Sequence, residues 1–307
     1  MIRVPFRAMG CQMLVAMDAE TPAAAERAAQ APAWFETWED GLSRFRPESE
    51  LNRLNRRAGQ PTQVSPVLWQ ALQAALRAAR DSDGLVTPTL LDALEAAGYD
   101  RSFEHLIDRT LPPHNRVTPE PDGAGRQIQM QSRTHMVTLP SGTRVELGGI
   151  AKGWAAEQAA RRLGKMAPAL VDAGGDIAVS GPRADGQAWP VGITDPRDPD
   201  STLSLLRIPS GGVATSGRDY RRWQQNGASQ HHILDPRTGR PAKTDVLSAT
   251  VVAPDVCTAE MAAKVVLILG SQAGLAWLEA RPALAGLAVL EDGPVLCSER
   301  MQAFFWN

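Results

Sequence analysis

Residues 169–253 form a long stretch of short runs in which apolar and polar residues alternate, and this pattern predicts a succession of β-strands. Helical patterns lie on both sides of the stretch. One begins after Gly148 and Gly149 and places small residues at fourfold spacing on one face, and another covers about 258–269. Strands interrupted by helices in this way predict an α+β fold rather than a regular βαβ array.

Caps and turn residues predict the other elements. Serine or threonine followed by proline is a strong helix-start signal, and it occurs at Thr21–Pro22 and at Ser65–Pro66. The remaining predictions, in chain order, are a strand pair around Met9–Gly10, a loop leading into a short helix over 42–55, a surface excursion over 111–125, half-buried strands over 127–145, a helix from about 271 and a final hairpin over 287–297.

The composition narrows the class of protein. With 307 residues and 43% hydrophobic content, the chain is able to bury a full core. Its 32 Lys and Arg nearly balance its 34 Asp and Glu, so charge gives no argument for nucleic acid or a membrane as the main partner. The three cysteines are far apart and predict neither a disulfide nor a zinc site. Neither a signal-peptide pattern nor a membrane-spanning run is evident, so we expect a cytoplasmic protein.

Two glycine-rich segments carry groups suited to a phosphate ligand. Residues 146–153 place paired glycines and Lys152 at the start of a helix, where backbone amides and the helix dipole favour an anion. The alternative is a tight turn with Lys152 on the surface. Residues 171–177 place Gly174 and Gly175 where backbone could approach a ligand, with Asp176 either orienting a hydroxyl or capping a plain hairpin turn.

Two further segments bring hydroxyl, amide and imidazole groups. Residues 214–220 combine Thr215, Ser216 and Gly217 with Arg218, whose guanidinium suits a phosphate, while nothing nearby predicts Ser216 as a nucleophile. In the segment 231–239, two adjacent histidines in a strand point to opposite faces, so only one of them is able to face a cleft. The alternative is a histidine bonded to backbone in a structural turn.

In their order along the chain, these segments resemble the ApbE family of FAD:protein FMN transferases. The matching stretches are Met9–Gly10, 43–55, 84–89, 148–153, 174–176, 189–193, 214–217, 232–236 and Gly270. The resemblance implies one T-fold-like α+β domain over residues 1–307, or two interlocked subdomains, with FAD in a central cleft. It also implies a reaction in which a threonine hydroxyl of an acceptor protein attacks the FAD pyrophosphate, giving phosphoester-linked FMN and AMP.

The resemblance also assigns roles to particular residues. His232 becomes the base, and Glu260 becomes the carboxylate that holds Mg²⁺ together with a backbone carbonyl at Ala151. Residues implied to bind the cofactor are Met9, Lys152, Gly174, Gly175, Asp176, Thr215, Ser216, Gly217, His232 and Lys264.

The sequence departs from the family pattern at the metal ligands. Glu260 stands where the family has aspartate, and Lys264 stands where it has a ligating threonine, so we expect Lys264 to pair with Glu260 and to place its charge near the metal position. The alternatives are an alignment shifted by one turn and a Lys264 that points outward. Thr87, Glu157 and Cys11 replace an aspartate, an aspartate and a threonine of the family.

Three hypotheses about function follow. The first is a flavin transferase that uses FAD. The second is an FAD-binding protein of the same fold that has lost metal-dependent transfer, with Lys264 in place of the metal. The third is a structural domain with glycine turns, which requires all the ordered matches to be accidental.

Overall fold

A computed structural model of the protein describes residues 1–106, 125, 127–219, 221–225 and 228–306. Except for Gly125, the surface excursion predicted over 111–125 lies outside these described residues. The chain divides into two compact units, each assembled from separate segments. The first unit comprises Met1–Thr37, Lys152–Asp219 and Thr244–Asn307, and the second comprises Trp38–Ala151 and Tyr220–Lys243. The single domain predicted over 1–307 stays a prediction.

Helices and strands are mixed along the chain, which confirms the predicted α+β class. The described strands are β1 (Ile2–Ala8), β2 (Cys11–Met17), β3 (Thr62–Gln63), β4 (Gln129–Gln131), β5 (Met136–Thr138), β6 (Ala169–Ala173), β7 (Asp176–Val179), β8 (Trp189–Asp195), β9 (Asp198–Ile208), β10 (Gly211–Gly217), β11 (Arg222–Gln225), β12 (Ala228–His231), β13 (Leu234–Asp235), β14 (Arg240–Pro241), β15 (Val246–Ala253), β16 (Ala285–Leu290) and β17 (Val295–Cys297). The described α-helices are α1 (Pro22–Ala29), α2 (Ala31–Leu42), α3 (Glu50–Arg56), α4 (Pro66–Asp81), α5 (Leu91–Ala96), α6 (Ala151–Gly164), α7 (Val256–Leu269) and α8 (Ser271–Glu279).

An antiparallel sheet organises the first unit, with the strand order β1-β2-β6-β7-β10-β15-β16-β17. The β8–β9 hairpin packs on one face, where Trp189, Leu206 and Val213 belong to a single apolar core. Helix α7 packs on β10 and β15. Because both faces of the central strands are covered, β15 is buried at every residue from Val246 to Ala253.

Side-chain caps fix the starts of several helices. The Thr21 hydroxyl accepts from the Ala24 amide at 3.3 Å, and Pro22 occupies the first turn of α1. Ser65 caps α4 in the same way, so both predicted helix starts are confirmed. Asp255 caps α7, which therefore begins at Val256, slightly before the predicted start.

The second unit combines short helices with small sheets. Its three-stranded sheet has the order β3-β5-β4, and β11–β12 and β13–β14 form separate hairpins. Tyr99 and Trp223 lie in a common apolar core. The Asn55 side chain bonds both the amide and the carbonyl of Val145 at 2.8 Å, which ties α3 to the segment before the Gly148–Gly149 loop. The strands predicted over 127–145 are present but short, as β4 and β5.

All three cysteines lie in the described part of the chain and are thiols, so the prediction of no disulfide is confirmed. Within the described residues, none of the helices has both the length and the apolar character needed to cross a membrane.

Candidate functional site

Two hairpin turns meet at one end of the large sheet. The β1–β2 turn consists of Met9 and Gly10, with φ of 49° and 69°, and the β6–β7 turn has Gly174 and Gly175, with φ of 67° and 92°. Two-residue hairpin turns with positive φ twist in the same sense as the strands they join. A Cβ added to Gly174 would lie 2.7 Å from the Cβ of Cys11, so a larger residue would push the turns apart. This sheet end is therefore lined by backbone.

Strand β10 extends the same end of the sheet. The Thr215 amide donates to the Gly175 carbonyl at 3.3 Å. Val213 packs in the core between the sheet and the β8–β9 hairpin. Because side chains alternate along a strand, Thr215 lies on that same face and Ser216 lies on the opposite face, toward the helices. Thr215 is exposed and its hydroxyl oxygen is 2.8 Å from that of Thr250, whereas Ser216 is buried. Of these two hydroxyl groups on β10, that of Thr215 is therefore the accessible one.

Arg218 has another role than the sequence indicated. Its guanidinium donates to the carbonyls of Val246 and Thr244 and to the Glu291 carboxylate. The interpretation of this side chain as a phosphate ligand is wrong, because its donors tie β10 to β15 and to the end of β16.

Lys152 and Asp176 form an ion pair in the first unit. Lys152 lies in the first turn of α6 and Asp176 opens β7, and their side chains are 17% and 3% exposed. The interpretation of Lys152 as a surface residue is therefore wrong. Asp176 does not cap the hairpin turn either, because the Gly175 amide donates to Asp172 at 2.8 Å.

Asp172 is a residue that the sequence reasoning missed. Desolvation by burial raises the pKa of its carboxyl group, while hydrogen bonds from the Gly175 and Gly174 amides and the charge of Lys152 act in the opposite direction. An aspartate two residues before a Gly-Gly pair is typical of a side chain that shapes a turn. That spacing was the available signal for its role.

Glu260 and Lys264 form a second ion pair, one turn apart on α7. Their charged atoms are 3.0 Å apart, and the Glu260 side chain is 1% exposed, so the predicted pairing is confirmed. Lys264 is 16% exposed, so the alternative of an outward-pointing lysine is wrong. The Gly153 amide donates to the other Glu260 oxygen at 3.3 Å, and a Cβ at Gly153 would lie 2.6 Å from that oxygen. Two neighbouring residues in the first turn of α6 therefore contact one ion pair each. Lys152 is itself a member of the first pair, and the Gly153 amide bonds Glu260 of the second.

The predicted Mg²⁺ site does not fit the groups present. One Glu260 oxygen faces an ammonium and the other accepts from a backbone amide, whereas Mg²⁺ needs several oxygen ligands in octahedral geometry. Among the described residues, no group of three or more metal-binding side chains occurs.

Ala151 begins α6 and its amide donates to the Leu147 carbonyl at 2.7 Å, while its role as a carbonyl ligand stays a prediction. Glu157 accepts from the Val256 amide at 3.4 Å and pairs with Arg161.

The two adjacent histidines of the second unit have different environments. His231 ends β12, is buried, and places Nε2 3.1 Å from the Ala242 carbonyl. His232 follows the strand and is partly exposed. His231 is therefore the histidine that bonds to backbone, and the role of His232 as base stays a prediction. Thr87 lies elsewhere in this unit, with its hydroxyl oxygen 2.9 Å from that of Thr89.

The large antiparallel sheet, the two glycine-containing turns at its end and the helices that accompany it define an α+β protein in which the partly buried Lys152 pairs with Asp176 beside one of these turns. The ApbE family model matches residues 9–288, and the chain belongs to the ApbE family.

Relatives and solved structures agree with this assignment. The FAD:protein FMN transferase of Treponema pallidum is 31% identical in an alignment that covers 84% of this chain and 75% of that protein. The enzyme of the same name from Salmonella typhimurium is 29% identical, over 88% of this chain and 79% of its own. The crystal structure of the ApbE protein from Thermotoga maritima has a TM-score of 0.84 at 25% identity, covering 100% of this chain and 99% of its own. The flavin transferase ApbE from Vibrio cholerae has a TM-score of 0.79 at 22% identity, with 99% and 98% covered. The predicted fold is confirmed.

Proposed function

We propose that this protein is an FAD:protein FMN transferase, which moves FMN from FAD to a threonine of an acceptor protein and releases AMP. The observation that carries the proposal is the Lys152–Asp176 ion pair beside the turn at Gly174 and Gly175. A lysine at the first turn of a helix, next to open backbone, provides the charge and the amides that a pyrophosphate needs. Met9 lies in the β1–β2 turn and Thr215 bonds the Gly175 carbonyl, so both lie at the same sheet end and contribute to cofactor binding.

The reaction requires a base, correct positioning of the reacting groups and stabilisation of negative charge. The threonine oxygen forms a bond to the phosphorus of the FMN half, the bond from that phosphorus to the bridging oxygen breaks, and AMP leaves with the bridging oxygen. The hydroxyl proton passes to a base, for which we propose His232. Catalysis of phosphoryl transfer depends mainly on positioning and on charge stabilisation, and Lys152 and Lys264 supply positive charge in the first unit.

We propose that Lys264 takes the place of Mg²⁺ in binding FAD. A bound Mg²⁺ would supply two charges and fixed oxygen geometry, whereas an ammonium supplies one charge at one point. The Lys264–Glu260 ion pair therefore also favours the second candidate function, an FAD-binding protein that has lost transfer. The predicted cytoplasmic location stays a prediction.

The first prediction separates the two functions. We expect the purified protein, incubated with FAD and a threonine-bearing acceptor, to give an acceptor band that stays fluorescent under denaturing conditions. Because Lys264 already offsets the pyrophosphate, FAD affinity should not change with EDTA or magnesium. Lys264→Thr restores a hydroxyl one turn from Glu260, so its FAD binding or transfer should become dependent on magnesium.

Bound FAD with no fluorescent acceptor would support the second function. Strong magnesium-dependent transfer by the unmodified protein, unaffected by Lys264→Thr, would contradict the proposed role of Lys264.

The second prediction concerns the pyrophosphate. We expect the protein to bind FAD more tightly than FMN, and FMN more tightly than riboflavin. Asp176→Ala should weaken FAD binding about 5- to 30-fold, because it removes the carboxylate that holds the Lys152 ammonium in position. Flavin fluorescence titrations, normalised to the folded fraction, measure both effects.

Asp172→Ala is the comparison variant, since it removes a neighbouring carboxylate that bonds the turn amide but keeps the Lys152–Asp176 ion pair. It should lower stability by about 1 kcal/mol and weaken FAD binding by less than Asp176→Ala does. Equal affinity for FAD and riboflavin would contradict the proposal that Lys152 and the turn amides bind the pyrophosphate of FAD.

A further inference from the structure

The turn between β6 and β7 already holds a carboxylate of its own chain. The Gly175 amide donates to Asp172 at 2.8 Å, and the Gly174 amide also bonds this carboxylate. Backbone amides at such turns are donors that a phosphate group uses. Asp172 and a pyrophosphate bound at the turn would therefore be two anions beside the same donors.

The turn is open to a ligand. Gly174 is exposed, and a Cβ added to Gly175 would meet no atom of the described chain within 4 Å. The Asp172 side chain lies in the same place and is only partly buried. A ligand at the turn would thus reach both the amides and the carboxylate that they bond.

The charges around the turn disfavour an anion while Asp172 is ionised. Lys152 pairs with Asp176, and its charge also acts on the Asp172 carboxyl group. One ammonium and two carboxylates give this group of three residues a net charge of −1, to which a pyrophosphate would add further negative charge. Like charges at short range repel each other. Protonation of Asp172 would make the group neutral and would remove this repulsion.

We propose that FAD binding is coupled to the uptake of one proton by Asp172, which makes this residue a positioning group for the pyrophosphate. The inference rests on the proposed function, in which Lys152 and the turn at Gly174 and Gly175 receive that part of FAD. The proton comes from solvent and stays on one carboxyl oxygen. The O–H is then able to donate to a phosphate oxygen, while the other oxygen keeps its bond from the Gly175 amide.

Burial prepares Asp172 for this role. Desolvation raises the pKa of its carboxyl group above the ordinary value of an aspartate, and an anion bound beside it raises the pKa again. FAD affinity should therefore increase as the pH falls through the pKa of Asp172 in the complex. It should become constant below the pKa of Asp172 in the free protein.

The elements around the turn also carry other charged or titratable groups. Helix α6 contributes Lys152 and β7 contributes Asp176, which pair with each other. The Cys11 thiol begins β2 beside the turn, and β1 carries Arg7, whose exposed charge is screened by solvent. The β8–β9 hairpin directs apolar side chains at the sheet. Replacing Asp172 alone therefore separates its proton from those of its neighbours.

Flavin fluorescence titrations at constant ionic strength test the proposal. Between about pH 8.5 and 5.5, we expect the FAD affinity of the unmodified protein to rise about 3- to 10-fold. Asp172→Asn keeps an oxygen that accepts from the turn amide but has no carboxylate to protonate. Its FAD affinity should lose this rise, and at about pH 8.5 it should exceed that of the unmodified protein about 3- to 10-fold.

Asp18→Asn is the matched control. The Asp18 carboxylate also accepts from a backbone amide, that of Ala184 at 2.9 Å, and it pairs with Arg183 beyond the opposite end of β2. This variant should keep the FAD affinity and the pH dependence of the unmodified protein. Riboflavin, which has no phosphate, should bind the unmodified protein and Asp172→Asn with the same pH dependence.

The proposal would be overturned by an FAD affinity that does not change with pH in the unmodified protein, or that changes equally in Asp172→Asn. It would also be overturned if Asp172→Asn bound FAD more weakly at every pH, since the carboxylate would then only shape the turn. Melting curves give the folded fraction of each variant. If Asp172→Asn does not fold, Asp172→Ala should show the same loss of pH dependence.

The coupling and the transfer reaction are distinguishable in this experiment. FAD affinity that follows the protonation of Asp172, with no FMN adduct on any acceptor, would count against the proposed transfer and would support the coupling. The absence of FAD binding at every pH would contradict both proposals.

Discussion

Replacing Lys264 with methionine is expected to lower the free energy of unfolding by about 2 to 4 kcal/mol, because the Glu260 carboxylate stays buried without its cation. Breaking a buried ion pair by removing one partner costs more than the pair itself contributes, since the remaining charge keeps its desolvation penalty. The loss is smaller than for a fully buried pair because the Lys264 side chain retains 16% exposure. Urea unfolding followed by circular dichroism measures the loss.

Helix α6 offers a matched control pair. Glu157 and Arg161 have the same spacing as Glu260 and Lys264, but Arg161 is 67% exposed. Arg161→Met should therefore change stability by less than about 0.5 kcal/mol. Lys264→Met combined with Glu260→Met should recover most of the loss, because no buried charge remains. Similar losses from Lys264→Met and Arg161→Met would show that the α7 pair is effectively solvated.

The second large effect is expected at His232. If its imidazole accepts the proton of the acceptor hydroxyl, His232→Asn should slow FMN transfer about 100- to 10,000-fold, a far larger effect than any loss of FAD affinity from the implied contact of His232 with the cofactor. Single-turnover transfer with FAD-saturated protein measures the chemical step separately from cofactor binding.

The neighbouring His231 provides the control for this substitution. Because His231 is buried and bonds the Ala242 carbonyl, His231→Asn should lower stability by about 1 kcal/mol and leave the transfer rate per folded molecule nearly unchanged. A larger rate loss at His231 than at His232 would show that the proposed base was assigned to the wrong histidine.

Features that depend on local spacing were predictable from the sequence. Thr21 and Ser65 cap helices through amides three residues later, and Glu260 and Lys264 meet because residues four apart share a helix face. The hairpin at Met9–Gly10 is equally local. In each case the few residues around the position determine the geometry.

Features that depend on packing between distant segments were not predictable in the same way. The ion pair between Lys152 and Asp176 joins residues that are 24 positions apart in the sequence. The hydrogen bond from the Gly153 amide to Glu260 joins residues that are 107 positions apart. The direction of the Ser216 side chain depends on which sheet face the β8–β9 hairpin covers, and no pattern within 214–220 specifies that. Arg218 was interpreted as suited to phosphate because the residues around it in the sequence gave no sign of its real partners. The carbonyls that it bonds belong to Val246 and Thr244, more than 25 positions further along the chain.

The close contact between Gly153 and Glu260 restricts the order in which this part of the chain is able to evolve. A Cβ at position 153 would lie 2.6 Å from the acceptor oxygen of Glu260, so a methyl group there would displace the carboxylate from its hydrogen bond with the backbone amide. Shortening Glu260 to aspartate would withdraw that oxygen and create the space. Alanine at 153 is therefore better tolerated once residue 260 is shorter, so we expect alanine at 153 to occur mainly with aspartate or a smaller residue at 260 among close homologues of this chain.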